Sequence, residues 1–119
     1  MSITINGITN CETMKKARNW LEAHGIEYAF HDYKAKGIAR ETLAGWAKQV
    51  GWEALLNRSG QTFRKLPDVE KEGITEAKAM TLMLKQPSMI RRPVLELGDG
   101  KLLVGFKPET YAAALVPRR

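Results

Sequence analysis

Apolar and polar residues alternate over Ser2-Ile-Thr-Ile-Asn-Gly7, the two-residue period of a half-buried strand. The period then lengthens. Met14, Ala17 and Leu21 recur at spacings of three and four, with Trp20 beside them, which gives a helix one apolar face. His24-Gly25 ends it, because glycine turns left-handed past a helix end without a steric penalty. The aromatic-rich run EYAFHDY, Glu27 to Tyr33, reads as a second strand. A strand, helix and strand of these lengths form a βαβ unit with parallel strands.

From Lys34 to Pro87 the spacing is helical. Leu43, Trp46, Ala47 and Val50 share one face of a helix that Gly51 ends. Trp52 to Asn57 predicts a short further turn, and Arg58 to Gln61, with Ser59-Gly60, a loop. Thr75 is the expected N-cap of a helix carrying Ala77, Met80, Met83 and Leu84, stopped by Pro87. The pattern then becomes strand-like. PVLEL (Pro93 to Leu97) and KLLVGF (Lys101 to Phe106) flank Gly98-Asp99-Gly100, a hairpin signal. Pro108-Glu109-Thr110 opens a last helix, with Tyr111, Ala114 and Leu115 on one face. No repeat or low-complexity linker divides the chain. Residues 1–119 therefore read as one α/β domain. Its expected core is the thioredoxin-like four-stranded mixed sheet (βαβ…ββα), with an all-helical insert at about 38–87 between strands 2 and 3.

Composition narrows the function classes. With 44% hydrophobic and 27% charged residues over 119 positions, the chain can bury a real core. No apolar run approaches the roughly 20 residues of a membrane-spanning helix. Met1 to Gly7 lacks the basic start and apolar stretch of a signal peptide, so a cytoplasmic location is expected, with no membrane partner. The formal charge of +6 favours anionic partners only weakly. Its clusters are small (Lys15-Lys16 with Arg18, Arg91-Arg92, Arg118-Arg119), and no aromatic-interleaved RNA motif or DNA-reading helix accompanies them.

One cysteine, Cys11, excludes an internal disulfide and a multi-thiolate zinc site. The two histidines, His24 and His31, do not complete a four-ligand cage, so neither metal nor bound cofactor is expected. Cys11 follows strand one and opens helix one, at the carboxyl end of a strand, where ligands bind in such sheets. A lone cysteine is often a small buried hydrophobe. At a helix N-terminus it is instead a candidate thiolate, because unpaired N–H groups and the aligned peptide dipoles favour negative charge there. Asn10 or Cys11 itself is the N-cap. Glu12 opposes the thiolate, and Lys15 and Lys16 offset it. Near the third strand, Pro93 is either a strand-start proline or a cis-proline turning polar backbone toward the cysteine. Arg92 can hold an anion by bidentate hydrogen bonds. Arg91 competes for that role, since adjacent strand residues face opposite sides.

The segments TNCETMKKA, LLNRSGQTFRKL and RRPVLELGDGKLLVGFKPE together resemble the ArsC/Spx family, in particular its YffB-like branch of arsenate reductase-related proteins, over nearly the whole chain. The resemblance implies a thioredoxin-like fold and an active-site cysteine at Cys11. Arg92 matches the most prominent oxyanion-holding arginine of the reductases, Arg58 matches the one in the insert, and Lys107 stands where they carry a third. Ile8-Thr9-Asn10 replaces the histidine those reductases carry before the cysteine. A lysine supplies charge without the planar fork that grips a tetrahedral oxyanion. The branch therefore implies glutathione-dependent thiol reduction, with Cys11 as nucleophile. Asn10, Arg58, Arg92, Pro93 and Lys107 are the residues expected to bind substrate or glutathione. Glutathione is the expected co-substrate, a small anionic or disulfide molecule the substrate, and glutaredoxin a further partner of a monomeric protein. The rival class is an Spx-like regulator that binds RNA polymerase. Cys11-Glu12-Thr13-Met14 lacks the CxxC pair of its redox switch.

Overall fold

The computed structural model describes residues 2–116; Met1 and the terminal Pro117-Arg118-Arg119, with its arginine pair, lie outside the described residues. In chain order the elements are β1 (Thr4–Gly7), α1 (Glu12–Ala23), β2 (Ala29–Asp32), α2 (Tyr33–Lys36), α3 (Arg40–Val50), α4 (Trp52–Leu55), α5 (Gln61–Arg64), α6 (Asp68–Lys71), α7 (Glu76–Lys85), a 3-10 turn (Pro87–Met89), β3 (Val94–Glu96), β4 (Leu102–Val104) and α8 (Pro108–Leu115). Two compact units result. One joins Met1–Asp32 to Arg92–Arg119, and the other is Tyr33–Arg91, so the helical insert starts earlier and ends later than the expected 38–87.

The first unit is a four-stranded mixed sheet in the order β2-β1-β3-β4. β1 and β2 are parallel, with Gly7 opposite Asp32. β3 runs antiparallel to β1, with Asn6 opposite Val94, and antiparallel to β4. This is the thioredoxin-like arrangement expected from the element order. The carboxyl ends of β1 and β2 and the start of β3 consequently share one end of the sheet. Ile5 and Leu95 point from one face into a core completed by Met14, Ala17 and Leu21 of α1 and Tyr111 of α8. At the β3–β4 turn, Gly98 and Gly100 hold φ of 85° and 89°, a region open chiefly to glycine.

Asn6 points from the opposite face and is buried. Its Nδ2 donates to Val94 O and to Glu96 Oε1, both at 3.0 Å. Its Oδ1 accepts from His31 Nδ1 at 3.0 Å, which fixes the hydrogen on that nitrogen, since an amide oxygen only accepts. One side chain thus joins β2, β1 and β3.

In the helical unit, α3 buries Leu43, Trp46 and Ala47, and α7 buries Ala79, Met80, Leu82 and Met83. Thr75 caps α7, its Oγ1 accepting from Lys78 N at 3.3 Å. Several boundaries differ from the sequence pattern. Tyr33 ends no strand; it opens α2, is fully buried, and donates from its hydroxyl to Ile90 O at 3.1 Å. Gln61 begins α5 rather than closing a loop. Ala77 and Ala114 are exposed, because alanine suits a solvent-facing helix position as well as a buried one and so misleads periodicity.

Tyr111 is fully buried, with Trp20 and Phe106 edge-on at 5.6 and 4.8 Å. Its hydroxyl has no hydrogen-bond partner among the described residues, and burial pushes the phenol well above its usual range. A buried hydroxyl left unsatisfied costs about 1–3 kcal/mol. Tyr111→Phe is therefore expected to leave stability unchanged or raise it by up to about that amount, read from urea unfolding. A loss beyond about 1 kcal/mol would show that the hydroxyl is held.

Candidate active site

Cys11 is the N-cap of α1, in extended backbone at φ −149° and ψ 127°, and its carbonyl accepts the first helical bond, from Lys15 N at 3.0 Å. The cysteine, not Asn10, therefore occupies the position where a side chain meets the unpaired amides of the first turn. It is half-buried against the core beneath α1. Met14, three residues on, is anchored at the end of β1, where a Cβ on Gly7 would overlap its thioether. Glycine at position 7 is thus what lets the first turn of α1 close over the strand end.

The Arg92–Pro93 peptide is cis, and Pro93 is buried at the head of β3. Arg92 is brought to the cysteine sulfur. Burial, the largest single influence, pushes the Cys11 thiol up. The Met14 amide, the hydrogen bond and charge of the Arg92 guanidinium, and the Thr13 amide together outweigh it, so the thiol lies below its ordinary value. The amides face the sulfur without closing a full side-chain cap hydrogen bond, as suits a large, weakly accepting atom. Glu12 reaches Lys15 Nζ at 4.0 Å, an exposed pair that offsets the carboxylate beside the cysteine.

Arg91, by contrast, is exposed and donates from Nε to Ala54 O at 3.1 Å, within the helical unit. Of the two arginines, Arg92 is the one at the thiol. Asn10 is exposed and adjoins Cys11 in the chain. Lys107 is the exposed N-cap of α8 and is not among the groups acting on the sulfur. Arg58 is exposed in the helical unit, its guanidinium 5.7 Å from the Trp52 ring centroid.

Two neighbours escaped the sequence pattern. Thr9 Oγ1 donates to Asp32 Oδ2 at 2.8 Å, fastening the loop before Cys11 to the end of β2. Asn6 ties β1 to Val94, directly after Arg92-Pro93. A parallel β1–β2 pair was enough to bring Asp32 to the cysteine's end of the sheet. The Asn6 bonds had no signal beyond a polar residue in an apolar alternation.

The ArsC family model matches residues 6–114. The chain belongs to the ArsC family. Among solved structures it is similar to the YffB protein, at 59% identity and TM-score 0.92, over 97% of this chain and 100% of that one. It is similar also to an arsenate reductase (ArsC) related protein from Brucella melitensis, at 60% identity and TM-score 0.78, over 98% and 97% of the two chains. The global transcriptional regulator Spx of Streptococcus pyogenes serotype M3 is 27% identical, over 89% of this chain and 79% of its own length. The chain therefore carries the arsenate reductase-related thiol oxidoreductase fold of the ArsC family. No helix among the described residues is long and apolar enough to cross a membrane.

Removing the Arg92 guanidinium while leaving the helix end intact is expected to raise the thiol. In Arg92→Gln the pH profile of Cys11 alkylation by iodoacetamide should move to higher pH, with slower reaction at neutral pH, because less of the sulfur is thiolate there. An unmoved profile would mean that the helix amides alone set the value.

Proposed function

We propose that this chain is a glutathione-dependent thiol reductase working through the single cysteine Cys11. The observation that carries the reading is Arg92 at the sulfur of a helix N-cap cysteine whose thiol is lowered despite burial. The Cys11 thiolate attacks a disulfide sulfur of a glutathione mixed disulfide RS–SG. The Cys11–S–SG bond forms, the S–S bond breaks, and RS⁻ leaves to take a proton. A second glutathione thiolate then attacks the glutathione sulfur of that adduct. Oxidised glutathione is released and the Cys11 thiolate regenerated, so the net change is RSSG + GSH → RSH + GSSG. No resolving cysteine is required, in keeping with Met14 at the position a CxxC pair would use.

Arg92 stabilises the thiolate each time it forms and holds a carboxylate of the substrate. Pro93 shapes the strand start beside it. Asn10, Arg58 and Lys107, all exposed, are supporting groups for the anionic ends of substrate or glutathione. Glutaredoxin is a further electron-transfer partner, and the protein acts as a monomer. Lysine at 107 and Ile8-Thr9-Asn10 before the cysteine argue for thiol substrates over arsenate, since neither provides the rigid fork that a tetrahedral oxyanion wants.

The similarity to Spx supports one competing reading, a protein that binds RNA polymerase without a redox switch. One set of measurements separates them. Full-length protein is expected to reduce a glutathionylated peptide with glutathione and glutathione reductase, to protect Cys11 from iodoacetamide when glutathione is present, and to lose turnover in Cys11→Ser. Absence of turnover and of protection, together with specific retention of purified RNA polymerase, would replace the reductase by the regulator.

A further inference from the structure

The first turn of α1 lacks the side-chain cap that commonly holds such a turn. Cys11, its N-cap, makes no side-chain cap hydrogen bond, and the next two residues, Glu12 and Thr13, are exposed. Of residues 12–14 only Met14 reaches the core, where it is fully buried in one cluster with Ile5, Ala17 and Leu21. A turn without a cap oxygen keeps its amides in place only as far as packing holds them. Met14 is therefore the residue that ties the open end of α1 to the sheet.

The place it occupies is one that Gly7 leaves open. A Cβ on Gly7 would overlap the Met14 Sδ and lie 2.7 Å from its Cε and 3.3 Å from its Cγ. Seven glycines among the described residues hold a positive φ, and Gly7 is not one of them. No left-handed backbone demands a glycine there; what the position requires is the missing side chain. Methionine is unbranched and adaptable, which suits an irregular niche at a strand end. Interiors are close-packed, so a thioether pushed out of that niche presses on its own backbone. The same backbone carries an amide that faces the Cys11 sulfur. Burial is the largest influence and raises the thiol, and the Met14 amide stands first among the groups that lower it.

We propose that Met14, seated in the niche left by Gly7, is a positioning residue whose side chain holds its own amide on the Cys11 sulfur. The role rests on the reading of Cys11 as the reacting thiol. It gives position 14, where a CxxC pair would carry its second cysteine, a task in monothiol chemistry.

Alkylation of Cys11 by iodoacetamide across pH, on the folded full chain, reads the thiolate apart from stability. Gly7→Ala is expected to raise the midpoint of the profile by about 0.3–1 pH unit, the range of one hydrogen bond. Met14→Ala, which removes the anchor, should raise it too, and Met14→Leu, which keeps a buried side chain of similar volume, should fall between Met14→Ala and wild type. Alanine at 14 lacks the three atoms that the added methyl would meet. The double variant Gly7→Ala/Met14→Ala should therefore match Met14→Ala rather than show the sum of the two shifts. Additive shifts, or a Met14→Ala midpoint equal to wild type, would overturn the role. If Gly7→Ala does not fold, Met14→Ala and Met14→Leu decide it alone. Turnover of a glutathionylated peptide by wild type keeps the two readings apart. Raised midpoints in the variants without wild-type turnover would leave the positioning role and remove the glutathione reductase. Turnover with unmoved midpoints would do the reverse.

Discussion

The buried amide of Asn6 joins the three strands on which the candidate site hangs, and the geometry at Cys11 depends on that junction. An amide carried out of water costs several kcal/mol if unpaired. Here both hydrogens go to β3, through Val94 O and Glu96 Oε1, and the oxygen to His31 on β2. A one-residue slip of any of these strands would break the set, so the side chain penalises the wrong registers more than it stabilises the right one. The register it protects is the one that places Gly7 beside Asp32 and sends Arg92-Pro93 toward the end of β1.

With the strands fixed, two opposing terms decide the state of Cys11. Packing against the α1 core strips water from the sulfur and favours the neutral thiol. The same placement puts it at the start of a 12-residue helix, where the amides of Thr13 and Met14 have no carbonyl partner of their own. The Arg92 guanidinium adds a hydrogen bond and a full charge to those amides, and together they hold the thiol below its ordinary value despite burial. Gly7 belongs to this balance as well. Without room for the Met14 side chain, the first turn could not bring its amide over the end of β1.

Much of this was legible in the sequence where periodicity and punctuation agreed. The two-residue alternation before Gly7, the Met14, Ala17 and Leu21 stripe, and the Gly98-Asp99-Gly100 turn each had a single structural solution, and together they specified the mixed sheet. Position then singled out Cys11, since its place after strand one is independent of any side-chain detail. What failed was local. Tyr33 looked like the end of an aromatic strand because strand and buried helix use the same residues; its hydroxyl bond to Ile90 decides for the helical unit. The choice between Arg91 and Arg92 is beyond a pattern with period two and unknown phase; the bond from Arg91 to Ala54 O and the Arg92 guanidinium at the thiol decide it. The Asn6 and Thr9–Asp32 bonds join residues distant in sequence, and nothing in the spacing of polar residues announces a partner across strands.

The net charge of the chain has a different origin from the chemistry at the thiol. The helical unit Tyr33–Arg91 contains eleven Lys or Arg against six Asp or Glu, which accounts for five of the six excess positive charges. The sheet unit is nearly neutral, so its end does not attract anions by bulk field. Selectivity there must come from where individual charges stand.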